Sequence, residues 1–308
     1  MKKKDAVAIV TYSRDRYFEL VFSSIVNQRI NGTCIFDLYD VYVFQDGLSG
    51  NADSDTSRAH SAIAKLVTEK KDSLDYIAQP RNLGIAMHFD FIERFLFEER
   101  GHDYAFFFED DLLIAPGHMQ TLDLLRKKFR HDQRVGMLAA NSTGAFQPIS
   151  VQMENRTRYV SMDHNWAFGL SREFWRRRQP FVDLYLNFVR NIQYKDRPTK
   201  EIIEWLEGYG LHGRASSQDY IKQCATLLVG GVRIATFPNY GLYIGRQGVH
   251  CTPELFSKMG FSTSQVCPDP LEEAAELTDE TYSKMLNEQS KIYLKDPSRF
   301  KSKNLAIV

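Results

Sequence analysis

An α/β chain built on a mostly parallel central sheet flanked by helices is what this sequence predicts, and three observations carry the prediction. Short β-branched or aromatic runs alternate with stretches of helical periodicity through the first 140 residues. One of those runs, residues 104–108, is apolar without a break and enters Glu109-Asp110-Asp111 directly. Four of the strand ends carry polar tips, and in doubly wound sheets ligands bind beyond the carboxyl ends of the strands. The composition fits a folded chain: of 308 residues, 43% are hydrophobic and 25% charged, which excludes wholesale disorder. Thirty-nine Lys and Arg against 39 Asp and Glu leave no basic excess, so neither nucleic acid nor an anionic membrane is expected as the main partner.

Taken in order, residues 6–11 form the first strand, stopped by Tyr12-Ser13-Arg14-Asp15. Residues 18–27 space Leu20, Val21, Ser24 and Ile25 as a helix does. A second strand, 38–44, ends in the turn signal Gln45-Asp46-Gly47. Residues 57–71 read as helix, 75–78 as a strand closed by Gln79-Pro80-Arg81-Asn82, and 85–100 as a strongly amphipathic helix. The second half is less regular. Strands are expected at 135–140, 166–170 and 230–237, with a short basic helix at 172–178. Residues 181–210 read as helix broken at Pro198, 240–250 as a glycine-punctuated loop, and 268 onward as an acidic helix before a basic tail.

The four cysteines, Cys34, Cys224, Cys251 and Cys267, have no CxxC pair and no regular spacing, so idle thiols in a reducing cytoplasm are expected. The apolar stretch 6–10 is too short for a signal-peptide core, and no run of about 18 apolar residues predicts a membrane span. Lys2–Lys4 leave room for a peripheral membrane contact.

Three carboxylates after a buried strand repel one another and resist desolvation unless a cation resolves them. A divalent metal does so, because hard cations take carboxylate oxygens and share their other positions with phosphate and water. An acidic turn, or a carboxylate capping the next helix, is the other reading. The place of the triplet, at the end of an apolar strand in an α/β frame, favours the metal.

Residues 85–144, with the EDD triplet followed by Leu-Leu-Ile-Ala-Pro, resemble the core of the N-acetylglucosaminyltransferase I family of glycosyltransferases. Three further blocks agree in order: 7–14 with Gln45-Asp46-Gly47, 163–175 ending in a Trp helix, and Tyr243-Ile244-Gly245-Arg246-Gln247-Gly248-Val249. The resemblance implies a GT-A fold with a nucleotide-sugar half at 1–141, an acceptor-binding and catalytic half at 142–267, and a helical tail at 268–308. It implies that Arg14, Asp46 and His88 hold the uridine of a UDP-sugar. Asp111 matches the direct ligand of Mn²⁺ or Mg²⁺, with Glu109 and Asp110 supporting the ribose and the metal's surroundings. A uracil edge needs a donor and an acceptor, which Arg14 and Asp46 supply; a lone His88 near a helix start is otherwise structural.

The family inverts at the anomeric carbon, which requires one general base and stabilisation of the diphosphate leaving group. Its base lies 26 residues before the first glycine of the Gly-Arg motif, which is Asp219 when counted back from Gly245. Asp219 also reads as a residue of a helix N-terminus behind Ser217, and Asp163 and Glu173 are the alternative bases. Glycines around Arg246 let the 245–250 loop close over phosphates that Arg246 pairs with, or form an ordinary turn. The family's enzymes sit behind a membrane anchor, which this chain is expected to lack. The segment 179–214 is longer than its counterpart and rich in aromatic and basic groups, so the acceptor, a glycan or lipid-linked glycan of surface polysaccharide synthesis, is not fixed by the match. A sugar-1-phosphate nucleotidyltransferase is disfavoured because Thr11–Arg16 lacks a phosphate-binding glycine. A non-catalytic glycan-binding relative is disfavoured by the intact acidic triplet.

Overall fold

The computed structural model describes residues 4–70, 73–248 and 251–298. Lys2 and Lys3, Val249 and His250 of the expected loop, and the basic tail lie outside the described residues. Strands run in the order β1 (Asp5–Thr11), β2 (Arg29–Ile30), β3 (Thr33–Cys34), β4 (Tyr39–Gln45), β5 (Asp75–Ala78) and β6 (Tyr104–Glu109). They continue as β7 (Leu112–Ile114), β8 (Val135–Ala139), β9 (Tyr159–Ser161), β10 (Ala167–Ser171), β11 (Val232–Thr236) and β12 (Gly241–Tyr243). Eight of them make one sheet, ordered β5-β4-β1-β6-β10-β8-β11-β9. Strands from both halves of the sequence share it. β5, β4, β1 and β6 are parallel, β8 and β11 are parallel, and β10 and β9 run against their neighbours.

The sheet is covered on both faces, which is why its strands read as apolar runs. Period-two alternation divides them. Val7 and Ile9 of β1 and Phe106 and Phe108 of β6 enter one core, while Ala8, Val10 and Phe107 enter the other. A third apolar cluster, with Phe181, Tyr185, Ile202, Leu206, Ile221 and Tyr293, joins the helices of the second half. Among the described residues no helix is long and apolar enough to cross a membrane.

Several elements differ from their expected bounds. The helix expected at 85–100 is α-helical over Gly84–Arg94 and widens to a π turn over Phe95–Glu99 before Gly101 at φ 66° ends it. The short basic helix and the start of the next are one helix, Arg172–Val189, running through Pro180. Burial of Phe181, Val182, Tyr185 and Leu186 outweighs the roughly 3 kcal/mol that an interior proline costs. The break comes instead at Arg190 and Asn191 (φ 60°), and Pro198 opens the following helix, Thr199–Gly208. The expected loop at 240–250 begins as β12, paired antiparallel with β7. The acidic helix spans Asp279–Tyr293; Thr278 caps it, and Gln289 bonds both the N–H and the C=O of Arg233 in β11.

Candidate active site

Register places the chemistry. Thr11 pairs with Gln45, and Val10 with Glu109, so the carboxyl ends of β4, β1 and β6 lie side by side. β10 runs the other way, so its beginning reaches the same edge: the Glu109 N–H donates to the Trp166 carbonyl at 2.8 Å. The edge is therefore built from three strand ends and one strand start.

The acids crowd there. Asp110 accepts from the Thr11 hydroxyl at 2.7 Å and pairs with Arg14, whose Nη1 also donates to Asp111 Oδ2 at 2.8 Å. Asp110 and Asp111 are 3% and 5% exposed, and the second oxygen of Asp111, Oδ1, is buried with no partner. Glu109 keeps a partial solvent edge but is enclosed by protein atoms; desolvation, then the charges of Asp111 and Asp219, hold its carboxyl well above the usual range against the pull of Arg14. Desolvation also raises Asp111, against Arg14. Burial works against the Arg14 guanidinium, yet Asp110 and Asp111 more than offset it and raise its pKa. One arginine faces several carboxylates, and the balance is short of positive charge.

A loop closes on this edge. The Ile244 N–H donates to the Asp111 carbonyl at 2.8 Å, continuing the β7–β12 pairing, and the Gln247 N–H reaches the Tyr17 hydroxyl at 3.1 Å. A Cβ added at Gly245 would lie 2.5 Å from the Tyr243 hydroxyl oxygen and 3.0 Å from Asp111 Oδ2, so any larger residue there must displace one of these side chains. Arg246 is exposed on this loop. Tyr243 stacks on Trp166 at 4.2 Å, and Trp166 on His164 at 4.7 Å.

Asp219 arrives from the second half. Ser217 caps the helix Gln218–Leu228 by accepting from the Tyr220 N–H, which frees the Asp219 carboxylate from that role. Asp219 Oδ1 instead accepts from Asn165 Nδ2 at 2.9 Å and from Gln218 Nε2 at 2.5 Å.

Asp46 and His88, the other two residues expected at the uridine, are engaged within the protein. Asp46 is 5% exposed, and its oxygens accept from the N–H groups of Gly47, Leu83 and Gly84 and from Asn82 Nδ2, at 2.8–3.1 Å. It ties the β4 end to the turn that opens the helix Gly84–Arg94. His88 lies beneath that turn, 1% exposed, with Nδ1 4.0 Å from Asp46 and Nε2 3.4 Å from the Phe44 carbonyl; burial lowers its pKa against the pull of Asp46. Asp46 stands directly after the β4 strand end, its N–H bonded to the Thr11 carbonyl at 3.0 Å, and His88 lies behind it. Of the alternative bases, Asp163 is 54% exposed beside His164. Glu173 binds Gln133 in the first turn after β10, whose Ser171 pairs with Tyr104 at the opposite end of the sheet.

No group of three or more His, Cys, Asp or Glu among the described residues forms a ready metal cage. The donor set still fits a hard divalent ion held by one or two carboxylates with phosphate and water completing it, because Asp111 Oδ1 is buried and unpartnered. Asn165, Gln218 and Thr11 were not singled out from the sequence. The polar run Asp163-His164-Asn165 immediately before an apolar strand was the available signal for the first, being a strand end in reverse.

No protein-family model and no curated protein matches this chain. Among solved structures it is similar to GalNAc-T7 crystallised with UDP, GalNAc and Mn²⁺ (9% identity, 77% of this chain and 43% of that one, TM-score 0.45). It is also similar to Staphylococcus aureus TarS residues 1–349 (12% identity, 83% and 62%, TM-score 0.42). A third is the glycosyltransferase GlyE of Streptococcus pneumoniae TIGR4 (16% identity, 64% and 42%, TM-score 0.34). The chain spans 42–62% of the length of these three.

Proposed function

We propose that this protein is a metal-dependent, inverting glycosyltransferase of the GT-A type, moving a hexose or hexosamine from a UDP-sugar to a glycan or lipid-linked glycan of a surface polysaccharide. One observation supports this above the others: a strand-end acid cluster with too little positive charge and a buried, unpartnered Asp111 oxygen faces a separate carboxylate, Asp219, fixed on the other half of the edge.

Asp111 would hold Mn²⁺ or Mg²⁺, and Glu109 and Asp110 would support it and the ribose. Bound there, the ion supplies Lewis-acid neutralisation of the diphosphate leaving group. The chain's own residues do the rest. Arg14 stands at the acid edge, paired with Asp110 and Asp111, where its guanidinium would lie within reach of a bound nucleotide. Arg246, on the loop anchored to Asp111, adds a second cation as the loop settles over the nucleotide. Asp219 accepts the acceptor hydroxyl's proton as the oxygen bonds to the anomeric carbon, and the bond from that carbon to the phosphate oxygen breaks with its electron pair leaving on UDP.

Calorimetric titration of UDP with and without Mn²⁺, followed by a panel of UDP-sugars scored for slow hydrolysis, tests the reading. UDP binding that needs the metal and vanishes in Asp111→Ala is expected. Equal heats with and without metal sink it.

A further inference from the structure

The two amides on Asp219 are bonded at the expense of their own oxygens. Asn165 and Gln218 are 5% and 4% exposed, and both give their N–H to the same carboxylate oxygen, Oδ1. An ionised carboxylate accepts only, so neither amide can flip: the nitrogen must face Asp219. That orientation leaves Asn165 Oδ1 and Gln218 Oε1 buried without a partner. A buried, unpartnered carbonyl forfeits its hydration without replacement, so this arrangement lowers stability. Helix capping gives no reason for it either, since Ser217 already holds the Tyr220 N–H. What it does achieve is geometric. Two donors from different elements, the start of β10 and the first turn of the helix Gln218–Leu228, fix the carboxylate plane and occupy one of its oxygens.

We infer that Asn165 and Gln218 are positioning residues, a paired amide clamp that holds Asp219 by Oδ1 and reserves Oδ2 for the proton of the attacking hydroxyl. The inference rests on the proposed role of Asp219 and extends it to residues that touch no reacting atom. Such orienting partners are worth about 10–100-fold in activity when removed, and here their loss should not weaken the fold.

Asn165→Leu and Gln218→Met keep shape and remove the donors, and each reads the clamp if the other fails to fold. Read as slow hydrolysis of the UDP-sugar that the wild type cleaves fastest in a panel of UDP-glucose, UDP-galactose, UDP-GlcNAc and UDP-GalNAc, the expected result is a roughly 10–100-fold fall in kcat, with unchanged Mn²⁺-dependent UDP affinity and a melting temperature equal to or above that of the wild type. In an Asp219→Asn background the same substitutions should cost nothing further, because the group they orient is gone. A lowered melting temperature with a loss of hydrolysis that persists in the Asp219→Asn background assigns the amides to structure and overturns the clamp, as does unchanged kcat in both variants. Wild-type protein that neither binds UDP with Mn²⁺ nor cleaves any UDP-sugar of the panel overturns the glycosyltransferase reading first, and the clamp with it.

Discussion

Two acids enclosed by protein atoms, one fully buried and one with a partial solvent edge, meet opposite fates. Glu93, on the helix Gly84–Arg94, is 0% exposed, yet one of its oxygens accepts from Arg178 at 2.7 Å and from Lys222 at 2.8 Å. Desolvation pushes its pKa up, but Lys222 and Arg178 outweigh that and hold it below the ordinary carboxylate range. Glu109, at the end of β6, has Asp111 and Asp219 as neighbours and only Arg14 against them, and sits well above that range. Each cluster keeps one buried carboxylate oxygen without a partner, Glu93 Oε2 and Asp111 Oδ1, but two cations answer the single charge of Glu93, whereas Arg14 alone faces several acids at Glu109. Desolvation pushes both upward, so desolvation does not distinguish a scaffold acid from a site acid. The distinguishing property is whether the surroundings complete the charge, and an incomplete cluster is where an exogenous cation gains most.

The largest expected effect tests the Glu109 cluster directly. Asp111→Ala should cost about 5 kcal/mol of transition-state stabilisation, nearly 10⁴-fold in transfer, and abolish the Mn²⁺ dependence of UDP binding. Transfer that stays near normal without added metal would erase the contrast between the two clusters. Next, Asp219→Asn should lower turnover by about 10³-fold while UDP affinity and melting temperature stay close to wild type; a large stability loss would place Asp219 with Glu93 among the scaffold acids. The Glu93 cluster should answer in the opposite currency. Arg178→Met leaves Glu93 with one cation and should cost about 4 kcal/mol in urea unfolding, with UDP affinity unchanged in whatever fraction stays folded. A shift in UDP affinity with full stability would show that this cluster, too, belongs to the site.

The smallest effect concerns a buried base with no compensating charge, His118, at the N-terminus of the helix beneath the β7–β12 pair. Burial lowers it from 6.5 to about 4, while the Tyr240 carbonyl, 2.9 Å from Nδ1, works the other way. A group depressed in the folded state contributes stability that is complete above its unfolded pKa and is lost as pH falls towards its folded one. From pH 7 to pH 4 that amounts to about 3 kcal/mol. His118→Gln should flatten this part of the stability–pH curve relative to wild type; parallel curves would show that His118 does not contribute to it.

Much of the first half was legible because its signals are local. The run 75–78 is a strand with the expected bounds, residues 6–11 and 104–108 fall within β1 and β6, and the acidic triplet begins at the last residue of β6 as the apolar run implied. Sheet faces covered by helices demand such runs, and a run of the right length shows itself in one dimension. Arg14 and the strand-end acids share an edge for the same reason: parallel strands with helical crossovers put all their carboxyl ends on one side.

What the sequence could not show depends on direction and neighbours. The apolar run at 166–170 looks the same whichever way it runs, and only its pairing with Phe106 and Leu138 makes it antiparallel. That reversal brings Asn165 to the acid edge and sends Glu173 to the far end. Asp46 reads as a free turn carboxylate until the turn after β5 folds back and fills its oxygens with amide hydrogens. A proline reads as a helix end until enough buried side chains on both sides of Pro180 outweigh its lost hydrogen bond. Local sequence determined which segments are strands, which are helices and where the acids cluster, because those follow from each segment's own burial. Tertiary structure decided which carboxylates are left unsatisfied, because that depends on partners far away in the chain.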